Sequence, residues 1–154
     1  IISKEGKLNN PADRDHCLQY MTAIGLLKGD LIAEDYEDDV ASDPRVDELR
    51  SKMVIEEDNR YTKEYLQEDK RSIANAIQIY FKDGSTTNKV EVEYPVGHRR
   101  RRKEGIPLLM KKFERNLMTQ FSDERIKSIL NLCDSQEKLE LTSVTDFMDL
   151  MVAE

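Results

Sequence analysis

The stretch Arg71–Pro95, RSIANAIQIYFKDGSTTNKVEVEYP, decides the fold class. Ile77, Ile79 and Phe81 alternate with polar neighbours, the period of a strand with one buried face. Asp83-Gly84-Ser85 is a turn signal, because glycine accepts a positive φ and the aspartate side chain folds back onto the following backbone. Val90, Val92 and Tyr94 then alternate again before Pro95 ends the run. The pattern predicts an antiparallel β-hairpin.

Outward from the hairpin the period changes to that of helices. After Gly97 comes a basic block, His98-Arg99-Arg100-Arg101-Arg102-Lys103, and Pro107 is expected to start a helix with Leu109, Phe113, Asn116 and Leu117 facing inward. Ser122 is expected to cap a second helix carrying Ile126, Ile129, Leu130 and Cys133 on one face. Ser135 and Ser143 should cap two more, the last bearing Phe147, Leu150 and Met151.

Toward the N-terminus, Met53–Ile55 suits a short strand, and the charged segment 56–70 reads as a loop with Tyr61 and Tyr65 as anchors. Asp43-Pro44 repeats a cap-plus-proline device that opens a short helix through Val46 and Leu49. The acidic stretch 33–42 reads as a weakly amphipathic helix. Earlier still, Asn10 is a good N-cap and Pro11 suits the first helical position, where the amide has no partner in any case. Cys17, Tyr20, Met21, Ile24 and Leu27 recur at helical spacing, and Gly29 closes that helix after Lys28. Strands in the middle with helices before and after make an α+β chain: a small antiparallel sheet, hairpin plus short strand, packed with helices.

Composition narrows the function classes. Of 154 residues, 36% are charged and the net charge is −7, which argues against a general nucleic-acid binder. No apolar run reaches the length of a membrane span, so no membrane partner is expected. Cys17 and Cys133 sit far apart on separate expected helices, a reduced-thiol style of usage. Two histidines and two cysteines without close spacing make no metal site, and no cysteine set for an iron–sulfur cluster is present.

The residues that could carry chemistry cluster in Asn10–Tyr20. Tyr20 follows His16 by four, which on one continuous helix would put both on one face. The same spacing is equally that of a core tyrosine with its hydroxyl satisfied at the edge. Arg14, flanked by Asp13 and Asp15, reads as an ion-pair partner of these or of a later acidic helix; the alternative is a bidentate grip on a ligand carboxylate. The basic block is better read as facing an internal acidic partner or a subunit interface than nucleic acid.

Taken together, NNPADRDHCLQYM, AEDYEDDVASDPRVDELR, RSIANA, YPVGHRRRR and EGIPLLMKKFERNL cover nearly the whole chain in order. This series resembles the C-terminal part of MmgE/PrpD-family enzymes, in the branch that dehydrates 2-methylcitrate. The resemblance implies a cofactor-free hydro-lyase of propionate breakdown acting on a small tricarboxylate. It also implies an α+β lid-type domain over residues 1–97, then C-terminal helices over 98–154 that pack on an upstream, mostly helical domain of a larger enzyme. The chain would then be a fragment or a processed chain, inactive alone, of a homodimer in the cytoplasm, or in the mitochondrial matrix of a eukaryote. Tyr20 takes the catalytic position, with His16 and Arg14 as substrate-binding candidates. Sister reactions on the same scaffold, decarboxylation of cis-aconitate or epimerisation of an imino-dicarboxylate, are the alternatives, together with a non-catalytic interaction module.

Overall fold

In the computed structural model, which describes residues 3–152, Asn10 caps helix α1 (Pro11–Arg14) as expected. Its side-chain oxygen accepts from the Asp13 amide at 2.9 Å. The helix stops there. The Cys17 amide bonds back to the Arg14 carbonyl at 3.1 Å, and Cys17 is extended, restarting the chain as helix α2 (Leu18–Lys28). The single helix expected from Pro11 to Lys28 is therefore two. The cause lies in tertiary contacts: Arg14 is buried, its guanidinium bonded to the carbonyl of Tyr36 far along the chain. Gly29, at φ 78°, closes α2 in the left-handed conformation, its amide donating to Gly25 O at 2.9 Å.

The acidic stretch 33–42 is also broken, into a 3-10 turn (Ala33–Tyr36) and helix α3 (Asp38–Ala41). Asp43 and Pro44 open α4 (Pro44–Arg50) as read from sequence, the Asp43 carboxylate accepting from the Arg45 amide. Cys17, Tyr20, Ala23 and Ile24 on the α2 side meet Val46 of α4 in one core cluster, with Leu27, Leu49 and Met53 around it. Burying each such Ile or Val side chain stabilises by about 1.5–3 kcal/mol. Met53–Ile55 forms no strand: Val54 is 83% exposed, so the short apolar run has no neighbour to pair with and stays a connector. These elements make one compact unit, Ile1–Asp58; a second, Asn59–Glu154, holds the hairpin together with the C-terminal helices.

In the second unit the segment read as a loop contains helix α5 (Asn59–Leu66). Its Arg60 and Tyr61 both reach Glu91 on the hairpin, at 2.6 and 2.7 Å. The missed signal is Tyr61 and Tyr65 four residues apart, the spacing of one helix face in an otherwise charged segment. The hairpin is present but short: β1 (Asn75–Ile77) pairs antiparallel with β2 (Val90–Val92), Ala76 opposite Glu91. The turn forms at Asp83–Ser85, with Gly84 at φ 87° and the Phe81 amide donating to Ser85 O at 2.8 Å. The expected buried face is not there, since every paired residue is exposed. Alternation tells which side chains share a face; what covers that face is a tertiary matter. The α+β class stands, as helices with a two-stranded sheet and without the extra strand.

The basic block forms a 3-10 turn (Arg99–Arg101) leading into helix α6 (Arg102–Leu117), so Pro107 lies inside the helix instead of starting it. Gly105 presses against the preceding turn: a Cβ there would lie 2.4 Å from Val96 O. Phe113 and Leu117 face the core as expected, while Leu109 is 53% exposed and Asn116 is exposed. Helices α7 (Asp123–Cys133), α8 (Gln136–Leu141) and α9 (Val144–Leu150) follow at the expected serines. Ser135 and Ser143 accept from the Lys138 and Asp146 amides. Ile126 and Ile129 join Leu117 in the second core cluster, edged by Leu130, Cys133, Leu150 and Met151. Both cysteines are free thiols.

Candidate active-site cleft

Tyr20 is 2% exposed, in the first turn of α2, because its ring is part of the α2–α4 core. Its ring stacks on Tyr36, centroids 6.1 Å apart, and its hydroxyl donates to the Asp35 main-chain carbonyl at 2.5 Å. Burial pushes the phenol above its ordinary value, against the nearby charges of Arg14 and Arg50, which act to lower it. The phenol therefore keeps its proton at neutral pH.

Tyr20 lines a cleft of about 320 Å³ together with Arg14, Arg50, Lys7, Asp38 and Asp47. Arg14 comes from α1 with its side chain 5% exposed; one nitrogen donates to Tyr36 O at 2.5 Å and another to Asp38 at 2.6 Å. The later acidic helix is thus its ion-pair partner, one of the two options open in the sequence. Arg50 closes α4 with its side chain 10% exposed, donating to Gly6 O at 2.9 Å and pairing with Asp47. The Nε of each arginine is buried without a hydrogen-bond partner.

Arg14 and Tyr20, both candidates from sequence, are brought together here. His16 is not: the break between α1 and α2 places it on the turn, where its exposed ring pairs with Asp15, and it does not line the cleft. Arg50, Asp38 and Asp47 were missed as site residues. Arg50 is recognisable only as the basic last turn of a short capped helix, and nothing in its spacing signals burial.

Asp35 holds Tyr20 and Lys28, near the two ends of α2. Its carbonyl accepts the hydrogen bond from the Tyr20 hydroxyl, while its buried carboxylate pairs with Lys28 and accepts from the Ile32 amide at 2.9 Å. Burial works to raise its pKa, but the Lys28 ammonium and the Ile32 amide outweigh this and hold it below the usual carboxylate value. In the second unit, the basic block is partly neutralised locally. Arg101 pairs with Glu104 and donates to Tyr94 O, and Arg100 lies over the Tyr94 ring and donates to Asp69 O. A larger hollow of about 680 Å³ at the start of α7 is lined by Asp123, Glu124 and Arg125 and has no buried cation. Among the described residues no His, Cys, Asp or Glu side chains converge as a metal site, and no helix is long and apolar enough to cross a membrane.

The first, helical unit thus carries a small polar cleft walled by cations and a buried tyrosine, in a chain whose class is α+β. Residues 1–136 match the MmgE/PrpD C-terminal domain, and the chain belongs to that family. It is 51% identical over 152 residues to a 2-methylcitrate dehydratase of Salmonella typhimurium, a match covering 99% of this chain and 32% of the relative. It is 49% identical to a mitochondrial 2-methylcitrate dehydratase of Yarrowia lipolytica (99% and 29%) and 49% identical to one of Cupriavidus necator (97% and 31%). The chain thus spans about a third of the length of these relatives.

Proposed function

We propose that this chain works as the C-terminal part of a 2-methylcitrate dehydratase, a hydro-lyase that removes water from 2-methylcitrate to give a 2-methyl-aconitate in propionate breakdown. One observation carries the reading: half the residues are identical, across the whole chain, to enzymes bearing that name.

The reaction needs a base to take a proton from the carbon beside a carboxylate. The electron pair becomes the double bond, the C–O bond breaks, and the hydroxyl leaves as water with a proton from an acid. In this reading Tyr20 is that acid. On substrate entry its hydroxyl exchanges the hydrogen bond to the Asp35 carbonyl for one to the substrate, and the phenol O–H bond breaks as its proton goes to the leaving hydroxyl. The phenolate left behind is stabilised by Arg14 and Arg50, charges already set around a low-dielectric site. The arginines also favour a substrate carrying carboxylates. The base comes from the region that the relatives have outside the matched segment, and the isolated chain is inactive. The C-terminal helices pack on that region, the enzyme is a homodimer, and it uses neither nucleic acid nor a cofactor. Its place is the cytoplasm in a bacterium and the mitochondrial matrix in a eukaryote.

The test is turnover by the full-length gene product, followed through the ultraviolet absorbance of the conjugated product. Dehydration of 2-methylcitrate is expected. If neither it nor citrate is turned over, the reading fails and the sister reactions on cis-aconitate and imino-dicarboxylates are next to be assayed.

A further inference from the structure

The two arginines of the cleft share an asymmetry. Each cation is fixed and buried: Arg14 is held by Tyr36 O and Arg50 by Gly6 O, with side chains 5% and 10% exposed. Each counter-ion is loose: Asp38 and Asp47 are 84% and 74% exposed. A buried guanidinium strongly needs an anion beside it. An exposed aspartate loses little by leaving, because water takes it back at small cost. Each arginine also carries a buried Nε that no protein acceptor satisfies. The cleft lining adds a third cation, Lys7, so cations outnumber carboxylates by three to two.

We infer that Asp38 and Asp47 are internal stand-ins for two carboxylates of the ligand, and that Arg14 and Arg50 form a paired carboxylate subsite which the ligand fills by displacing them. The inference rests on the reading of this cleft as the substrate site and deepens it by naming Arg50 as a second grip and the two aspartates as competitors. When a polycarboxylate enters, the guanidinium N–H groups donate to its carboxylates, and the freed aspartates turn to solvent. The stand-ins keep the buried cations paired while the site is empty. They also set affinity, since the ligand must outcompete them. A monocarboxylate can replace only one of the two and should bind far more weakly than a tricarboxylate.

The test uses the full-length protein and two readouts: KM for 2-methylcitrate, and calorimetric Kd for propane-1,2,3-tricarboxylate, which has no hydroxyl to lose. Asp47→Asn and Asp38→Asn remove a competitor and should each lower KM and Kd several-fold, with the double variant lower still. Arg50→Gln should raise both by at least about tenfold, and Arg50→Lys should recover part of the loss. Asn variants that melt like the parent yet bind no tighter, or bind more weakly, would overturn the subsite. They carry the test even if Arg50→Gln fails to fold, because both aspartates are exposed. Wild-type dehydration with unmoved KM values sinks the subsite and leaves the reaction standing. Tricarboxylate binding that shifts as described, without dehydration, keeps the subsite and sinks the reaction.

Discussion

The hydroxyl of Tyr20 donates to the main-chain carbonyl of Asp35 at 2.5 Å, while the Asp35 carboxylate pairs with Lys28 at the other end of the same helix. One residue of the 3-10 turn therefore fixes both ends of α2. The orientation of the proposed acid and the stability of the first unit depend on the same contact, and variants can separate the two.

Tyr20→Phe removes the phenol and leaves the Asp35 carbonyl without its donor. The expected stability loss is about 1 kcal/mol by urea denaturation. Under the proposed reaction, turnover of 2-methylcitrate falls by at least about tenfold, or 1.4 kcal/mol in barrier. Unchanged turnover by the folded variant would return Tyr20 to a purely packing role.

Asp35 gives a pH signature. Its carboxyl is depressed in the folded state, so its contribution is fully present above the unfolded value and is lost as pH falls through the lower, folded one. With the unfolded value at about 3.9, the contribution is intact at neutral pH and fades in stronger acid. Asp35→Asn should therefore be less stable than the parent at neutral pH, by about 1 kcal/mol for the loss of an ion pair whose lysine is half exposed. The gap should close as both proteins are denatured in strong acid. A gap that stays constant with pH would show that the ion pair is not the cause.

Gly105→Ala sets two effects against each other. Alanine is favoured over glycine inside a helix by about 1 kcal/mol. Its Cβ would, however, meet Val96 O at 2.4 Å, a backbone atom that has no rotamer with which to yield. The clash should win, with a net loss of about 1–3 kcal/mol, the usual cost of overpacking. A variant with a raised Tm would contradict the close approach of α6 to this turn.

Ile129, on the inward face of α7, is fully buried with Leu117 and Ile126 in the core of the second unit. Ile129→Ala should cost about 2–5 kcal/mol and Ile129→Val about 0.5–1.5 kcal/mol, the spread between a cavity and one lost methylene. Denaturation of the two variants side by side checks this. Near-neutral behaviour of the alanine form would mean that the cluster is not the core of that unit.

Much of the fold was legible because it depends on neighbours in sequence. The Asn10, Asp43, Ser135 and Ser143 caps are local hydrogen bonds, and the chain makes each one as expected. The Gly29 and Gly84 turns are local too, set by freedom at positive φ. The α7 face was readable because Ile126, Ile129, Leu130 and Cys133 keep helical spacing over the whole element. What failed was decided at a distance. The break at Asp15–Cys17 follows from the hold of Tyr36 O on Arg14, and α5 is anchored by Glu91 thirty-one residues beyond Arg60. The strand expected at Met53–Ile55 found no partner.

By itself, then, the sequence determined the caps, the turns, the α+β class and the family, all properties of short windows or of their order along the chain. Only the tertiary structure decided which charged side chains go inside. Arg14 and Arg50 resemble any surface arginine in sequence, and His16 looks as well placed as Tyr20. Burial of a guanidinium depends on carbonyls and carboxylates, here Gly6, Tyr36 and Asp38 from other segments and Asp47 from the helix of Arg50 itself. The cleft exists only where those residues converge, because a charge leaves water only when the folded chain supplies its partners.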